Sequence, residues 1–328
     1  MWSFLNDPVV GWSEEDFDDA IDRVVDADIN PFTGYLLGLS PNKSIEVLYY
    51  NADALAEMGY DGPPETWEEF YNMACDYTDE EAGTVGFEYS TDASALAAVA
   101  FSMGTDVYDY EENEFNYNQA ETVEALEWLQ KMAEDGCARP PAERYGDQTD
   151  FGAEITIFTT SSTSGIRYYH EALKAAESDF TWDLAPYPHP NTEEPVLNLY
   201  GGSISLIDSS PAKELASWLF LRWMLEGPQQ ARWSEATGYM SLRSSVREGV
   251  EVFFEDWPQM ETALNLIAYS QPEPNGVVPG YDQIRGQASG AFAAIYDGAE
   301  IEPTLADLDE TANEILEDNL ENYEVCEY

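Results

Sequence analysis

The stretch Ser44-Ile45-Glu46-Val47-Leu48-Tyr49-Tyr50 is apolar, β-branched and aromatic, and predicts a strand. Asn51 then stands where it can cap a short helix that ends near Gly59. After Pro63-Pro64, Thr66-Trp67-Glu68-Glu69 forms a capping box and opens a helix through about Cys75. From about Ala120 to Glu134, Val123, Leu126, Leu129 and Met132 recur at helical spacing, with Gly136 as the stop. Ile155-Thr156-Ile157-Phe158 and Trp182-Asp183-Leu184-Ala185 read as buried strands. Ser210-Pro211, then Trp218-Leu219-Phe220, then Gly227-Pro228 predicts a helix with Pro at its start and Gly beyond its end. Further helices fit Gln259–Tyr269, Gln283–Tyr296 and Leu305–Tyr323. Strands and helices in mixed order predict the α/β class. No internal repeat or low-complexity linker interrupts the pattern.

Charge changes the picture most. The 328 residues carry 13 Lys+Arg against 65 Asp+Glu, a formal net charge of −52. Self-repulsion on that scale strains a compact state at ordinary ionic strength. At 1 M salt the Debye length falls to about 3 Å and most of the repulsion is screened. A disordered acidic chain would lack the 13% aromatic and 44% hydrophobic content seen here. The composition is that of a folded, salt-adapted protein. Lysine is reduced to Lys43, Lys131, Lys174 and Lys213, so no basic patch for nucleic acid can be assembled.

The length suits two domains at about 150 residues each. Cys75, Cys137 and Cys326 have no CxxC spacing, and His170 and His189 are the only histidines. One disulfide can form, leaving one thiol over; which two cysteines pair is open at this level. No run approaches the ~20 apolar residues of a membrane span, so no membrane insertion by this chain is expected. Met1-Trp2-Ser3-Phe4-Leu5 has neither the charged nor the long apolar region of a signal peptide.

The sequence contains no Walker phosphate loop, GxGxxG, HExxH or GxSxG. Asp26-Ala27-Asp28-Ile29-Asn30 begins like a calcium loop, but Pro31 stands where the turn needs Gly and Leu37 where a bidentate Glu belongs. Paired carboxylates of the glycosidase type arise by chance among 65 acids. No catalytic residue, metal or cofactor is expected.

Two blocks carry a resemblance. The first is Val47-Leu48-Tyr49-Tyr50-Asn51-Ala52-Asp53-Ala54-Leu55, with Gly59 and Pro63-Pro64-Glu65-Thr66-Trp67-Glu68-Glu69-Phe70. The second runs from Phe180-Thr181-Trp182-Asp183 through Pro186-Tyr187-Pro188, Gly201-Gly202-Ser203 and Ala212–Leu225 to Ala236-Thr237-Gly238-Tyr239-Met240. Together these resemble extracellular solute-binding protein family 1 of the ABC transporters, and within it the receptors for sn-glycerol-3-phosphate and glycerophosphodiesters. The resemblance implies a periplasmic-binding-protein type II fold, with two lobes joined by a multi-strand hinge. It implies crossings near 44–50, 200–205 and 240–245. The N-lobe would hold 1–45 and 206–243, and the C-lobe 46–205 and 244–328. The chain matches the later part of the family fold. Roughly two or three βα units of ~30 residues each are expected upstream, so the N-lobe is expected to be partial. The apolar helix Ala212–Leu225 would then lack part of its packing.

By the same resemblance the ligand groups are Ser44, Ser161, Gly202, Tyr239 and Arg285, with Lys43 added from the scarcity of cations. Ser44 and Ser161 offer hydroxyls that donate or accept. Gly202 lets backbone N–H groups approach an anion. Arg285 presents a planar fork suited to phosphate, and Tyr239 an apolar face with a hydroxyl. Each has an ordinary structural role as the competing reading: turn glycine, core tyrosine, strand-end serines, ion-paired arginine, solvated loop lysine. The expected function is that of an ABC importer's receptor at the outer face of the cell membrane, which captures its solute by hinge closure and docks on the permease subunits. A sugar receptor of the same family is the first alternative, a secreted glycan hydrolase the second, and a non-binding remnant the third.

The charge balance generates one prediction. The protein unfolds cooperatively in molar KCl and loses structure near 0.1 M, where the Debye length is about 10 Å. A melting temperature that is the same at both concentrations contradicts it.

Overall fold

The computed structural model describes residues 1–190, 194–249, 255–274 and 278–320. Its organising strand, β1, spans Ser44–Asn51, with every side chain buried except the half-buried Tyr50. Asn51 Oδ1 accepts from Ala54 N and caps the helix Ala52–Met58, which Gly59 ends in the left-handed conformation. Thr66 and Glu69 make the reciprocal cap that opens Trp67–Tyr77.

Cα packing divides the chain into two units. The first holds Met1–Ile45, Thr163–Ile166 and Leu199–Gln271; the second holds Glu46–Ser162, Arg167–Asn198 and Pro272–Tyr328. These units differ from the expected lobes at 163–166, 199–205 and 244–271, which group with the first unit. Tyr200 pairs with Ser44 and Ile204 with Leu39, and Val246, Met260 and Ile267 are buried beside Met240 and Ile21.

The second unit is a layered α/β body. β2 (Val85–Glu88), the short β5 (Ala138–Arg139), β6 (Thr156–Ser162) and β7 (Trp182–Ala185) join β1 in its sheet, and β3 (Tyr108–Asp109) and β4 (Glu114–Phe115) form a separate two-stranded ribbon. β2 runs parallel to β5 and β6, whereas β1 is antiparallel to β6 and β7. Alternation along β1 sends Leu48 to one core and Tyr49 to another. On the Leu48 side, Phe70 meets Phe87 and Phe158 edge-on at 5.0 and 5.1 Å. Ile284, Phe292 and Ile295 of helix Tyr281–Tyr296 and Leu305 and Leu308 of helix Ile301–Leu320 belong to the same core. Tyr49 stacks on Tyr169 at 4.0 Å, and Tyr169 meets Phe151 edge-on. The helix Ala93–Ser102, part of the core on the Leu48 side, is buried at every position. It has no polar face and therefore no periodic signal by which to predict it.

Cys75, on helix 67–77, is disulfide-bonded to Cys137, the residue before β5. Cys326 and the end of the expected helix 305–323 lie outside the described residues.

The first unit is mainly helix and loop among its described residues. Ser44 and Ile45, at the start of β1, pair with Tyr200 and Leu199 of β8 (Leu197–Tyr200). Isolated bridges join Leu39 to Ile204, Lys43 to Met240 and Ala20 to Arg243. The helix Pro211–Met224 forms as predicted; it buries Trp218 and Leu221 and leaves Leu219, Phe220 and Trp223 exposed. Gly227-Pro228 does not simply mark its end. It opens a second helix, Gly227–Thr237, with Pro in the first turn where a missing N–H costs nothing. Among the described residues no helix is long and apolar enough to cross a membrane.

The disulfide closes a loop of 62 residues. Such a link typically contributes about 2–4 kcal/mol of stability. The double variant Cys75→Ala/Cys137→Ala is expected to show a correspondingly lower denaturant midpoint in molar KCl. An unchanged midpoint would mean the link constrains little.

Candidate functional site

Four of the six candidate residues stand in the first unit, where three backbone segments meet: the loop 40–44, the turn 201–203 and the strand-like 239–240. Met240 N donates to Lys43 O at 3.0 Å. Ser40 Oγ donates to Gly202 O at 2.8 Å. Gly201 has φ +135°, and a Cβ there would lie 2.5 Å from Asn42 O. The turn therefore requires glycine at 201, whereas a Cβ at Gly202 would meet nothing within 4 Å. The second glycine leaves an open approach to an exposed backbone.

Lys43 is not a solvated loop lysine. It is 5% exposed, and its ammonium reaches Asp28 Oδ1 at 3.4 Å, Gly201 O at 3.2 Å and Ser203 Oγ at 3.2 Å. Ser203 Oγ donates to the same Asp28 oxygen at 2.5 Å. Burial pulls the Lys43 ammonium below the ordinary lysine range although the Asp28 carboxylate acts in the opposite sense. The cluster fastens the turn 201–203 to the N-terminal segment. In the sequence Asp28 belongs only to a calcium-loop pattern, and nothing local marks it as a lysine's partner. Asn30, from the same pattern, accepts from Phe32 N and Thr33 N and makes a turn. Ser44, 1% exposed, keeps a buried Oγ that meets no partner among the described residues. Such a group is normally satisfied by water or a ligand. Tyr239 is half-buried and lines a cavity described below.

The other two candidates stand in the second unit. Ser161 lies on β6 opposite Val47 and is half-buried. Arg285, on helix 281–296, is braced by acids that no local sequence pattern associates with it. Nη1 donates to Ser94 Oγ at 2.9 Å and to buried Glu273 at 2.5 Å; Nη2 donates to Asp92 Oδ1 at 2.9 Å. Tyr281 Oη also donates to Glu273, at 2.5 Å. Burial opposes the charge on Arg285, but Glu273 and Asp92 outweigh it and hold the guanidinium above its ordinary range. Burial, then Glu273, pushes the Tyr281 hydroxyl far up. A guanidinium has five N–H donors. These contacts use three, and two remain.

Comparison with known proteins gives these features a context. Residues 7–262 match the family described as bacterial extracellular solute-binding protein. The sn-glycerol-3-phosphate-binding periplasmic protein UgpB of Escherichia coli (strain K12) is 24% identical over 257 residues, covering 74% of this chain and 57% of that protein. Its counterpart in Shigella flexneri is 23% identical over the same length. The chain thus spans little more than half the length of the curated relatives it matches. Among solved structures, the sugar-binding protein MalE from Xanthomonas citri has a TM-score of 0.77 at 20% identity, over 94% of this chain and 78% of that one. UgpB from Mycobacterium tuberculosis, in complex with glycerophosphocholine, has a TM-score of 0.74 at 19% identity, over 93% and 76%. The fold is the α/β fold of the periplasmic solute-binding proteins.

The Lys43 cluster makes its own prediction. Lys43→Met strands the Asp28 carboxylate in the interior and should cost about 3–5 kcal/mol. Lys43→Met/Asp28→Leu should recover most of that loss. Denaturation of the two variants and the parent at one fixed KCl concentration reads the difference, and equal losses in both variants would contradict the buried pair.

Proposed function

Since the chain belongs to the bacterial extracellular solute-binding protein family, we propose that it is the solute-capturing receptor of an ABC importer, with sn-glycerol-3-phosphate or a glycerophosphodiester as its solute. The observation that carries this reading is the state of Arg285. Its guanidinium is permanently charged, is oriented by Glu273, Asp92 and Ser94, and has two N–H donors left for a ligand. The free Ser44 hydroxyl and the uncrowded backbone at Gly202 are suited to the polar remainder of such a solute. Ser161, Tyr239 and Lys43 complete the proposed set, Lys43 by holding the turn rather than by touching the solute. UgpB relatives and a glycerophosphocholine complex among the structural neighbours point the same way. The partners of such a receptor are permease subunits, and its place is the outer face of the membrane. No catalytic step is proposed.

One observation favours a second reading. Asp92 and Glu273 set two carboxylates against one guanidinium, a local balance better suited to a neutral polyol or sugar than to a phosphate dianion.

Calorimetric titration in molar KCl with sn-glycerol-3-phosphate, glycerophosphocholine and maltose separates the two. The phosphate reading expects Arg285→Ala to weaken both phosphate solutes about tenfold or more, since a charge-assisted contact contributes about 1.5–3 kcal/mol. It expects Asp92→Asn to tighten them, and maltose to be indifferent to both changes. Saturable maltose binding with no response to either phosphate solute would replace it with the sugar reading.

A further inference from the structure

The first unit contains a cavity of about 390 Å³ that the proposed solute site does not use, apart from Tyr239 on its wall. Its interior is apolar: Met240, Val246, Met260 and Ile267 line it and are each at most 6% exposed. Its open side is marked by exposed lining residues, among them Arg247 and Asn265. The volume lies within the range of small-molecule sites, about 300–1,000 Å³. An apolar cavity of this size is stabilised by an occupant that removes its walls from water.

Charge at the mouth narrows the class of occupant. Arg247 Nη2 donates to the neutral Asn265 Oδ1 at 3.0 Å, and Arg247 forms no ion pair among the described residues. Arg243, deeper in the same wall and 3% exposed, is engaged through each of its three nitrogens: Nε donates to Leu225 O at 2.8 Å, Nη1 to Asp16 O at 2.5 Å, and Nη2 pairs with Asp16 Oδ1 at 3.3 Å. One arginine is therefore a structural tie, and the other presents a mostly unused fork beside the Asn265 amide at the entrance. A guanidinium with an adjacent amide matches a carboxylate in shape and charge.

We propose that this cavity is a second binding site, for a small amphiphilic carboxylate whose hydrocarbon chain fills the interior and whose carboxylate is held by Arg247 and Asn265. Octanoate and 1-octanol serve as probes, titrated calorimetrically into the full chain in molar KCl. Octanoate binds saturably. Arg247→Gln weakens octanoate about tenfold and leaves 1-octanol unchanged. Leu264→Trp and Ala268→Phe, two separate fillings of the cavity wall, each abolish binding of both probes while the melting temperature stays near that of the parent. Arg285→Ala leaves octanoate binding intact, so failure of the solute assignment and failure of this site are distinguishable. No saturable octanoate binding at millimolar concentration overturns the proposal. So does binding that survives whichever filled variant folds, or an equal loss for both probes in Arg247→Gln.

Discussion

The buried backbone of β1 is the constraint on which the other features depend. Its residues from Ser44 to Asn51 lie out of water, apart from the half-buried Tyr50, so their N–H and C=O groups have to find partners in neighbouring strands. β8 supplies them at the start of the strand, in the first unit, and β6 and β7 supply them further along, in the second. The chain passes from one unit to the other between Ile45 and Glu46, inside this strand, and again after Ser162 and Asn198, beside or within its partners. Ser44, Ser161 and Gly202 are each within four residues of such a passage. Strand pairing positions Ser44 opposite Tyr200 and Ser161 opposite Val47, whereas Gly202 is set by the turn that Gly201 and the Ser40 hydroxyl hold.

The second constraint is the scarcity of positive charge. In a chain with five acids for each cation, the interior cations visible here are spent on holding segments together. Lys43 joins Asp28 to the turn 201–203, Arg243 joins Asp16 to Leu225, and Arg285 joins Asp92, Ser94 and Glu273. Breaking such pairs one-sidedly is costly because the remaining charge stays buried. Where a buried acid has weaker compensation its protonation shifts: burial pushes Glu88 up to about 7, with the hydrogen bond from Arg139 opposing. Molar salt screens the exposed acids but reaches these interior pairs much less. Surface charge and buried charge therefore answer to salt differently in this protein.

Local chemistry in the sequence determined much of the secondary structure. The β1 run, the Asn51 cap, the Thr66/Glu69 box and the 120–134 helix all rest on interactions within a few residues, and all are present as read. The resemblance carried by the blocks around Tyr49-Tyr50-Asn51 and Gly201-Gly202-Ser203 was legible for the same reason, since those blocks are short and continuous. Tertiary structure alone decided what depends on distant partners. The helix 93–102 is buried all round and shows no face. The pairing of Cys75 with Cys137 needs helix 67–77 to lie against the start of β5. Lys43 and Asp28 are 15 residues apart, and Arg285 and Asp92 are 193 apart, so no spacing rule connects them. Whether a cation serves a ligand or holds the fold depends on what surrounds it, and burial by remote segments is a quantity that a one-dimensional pattern does not contain.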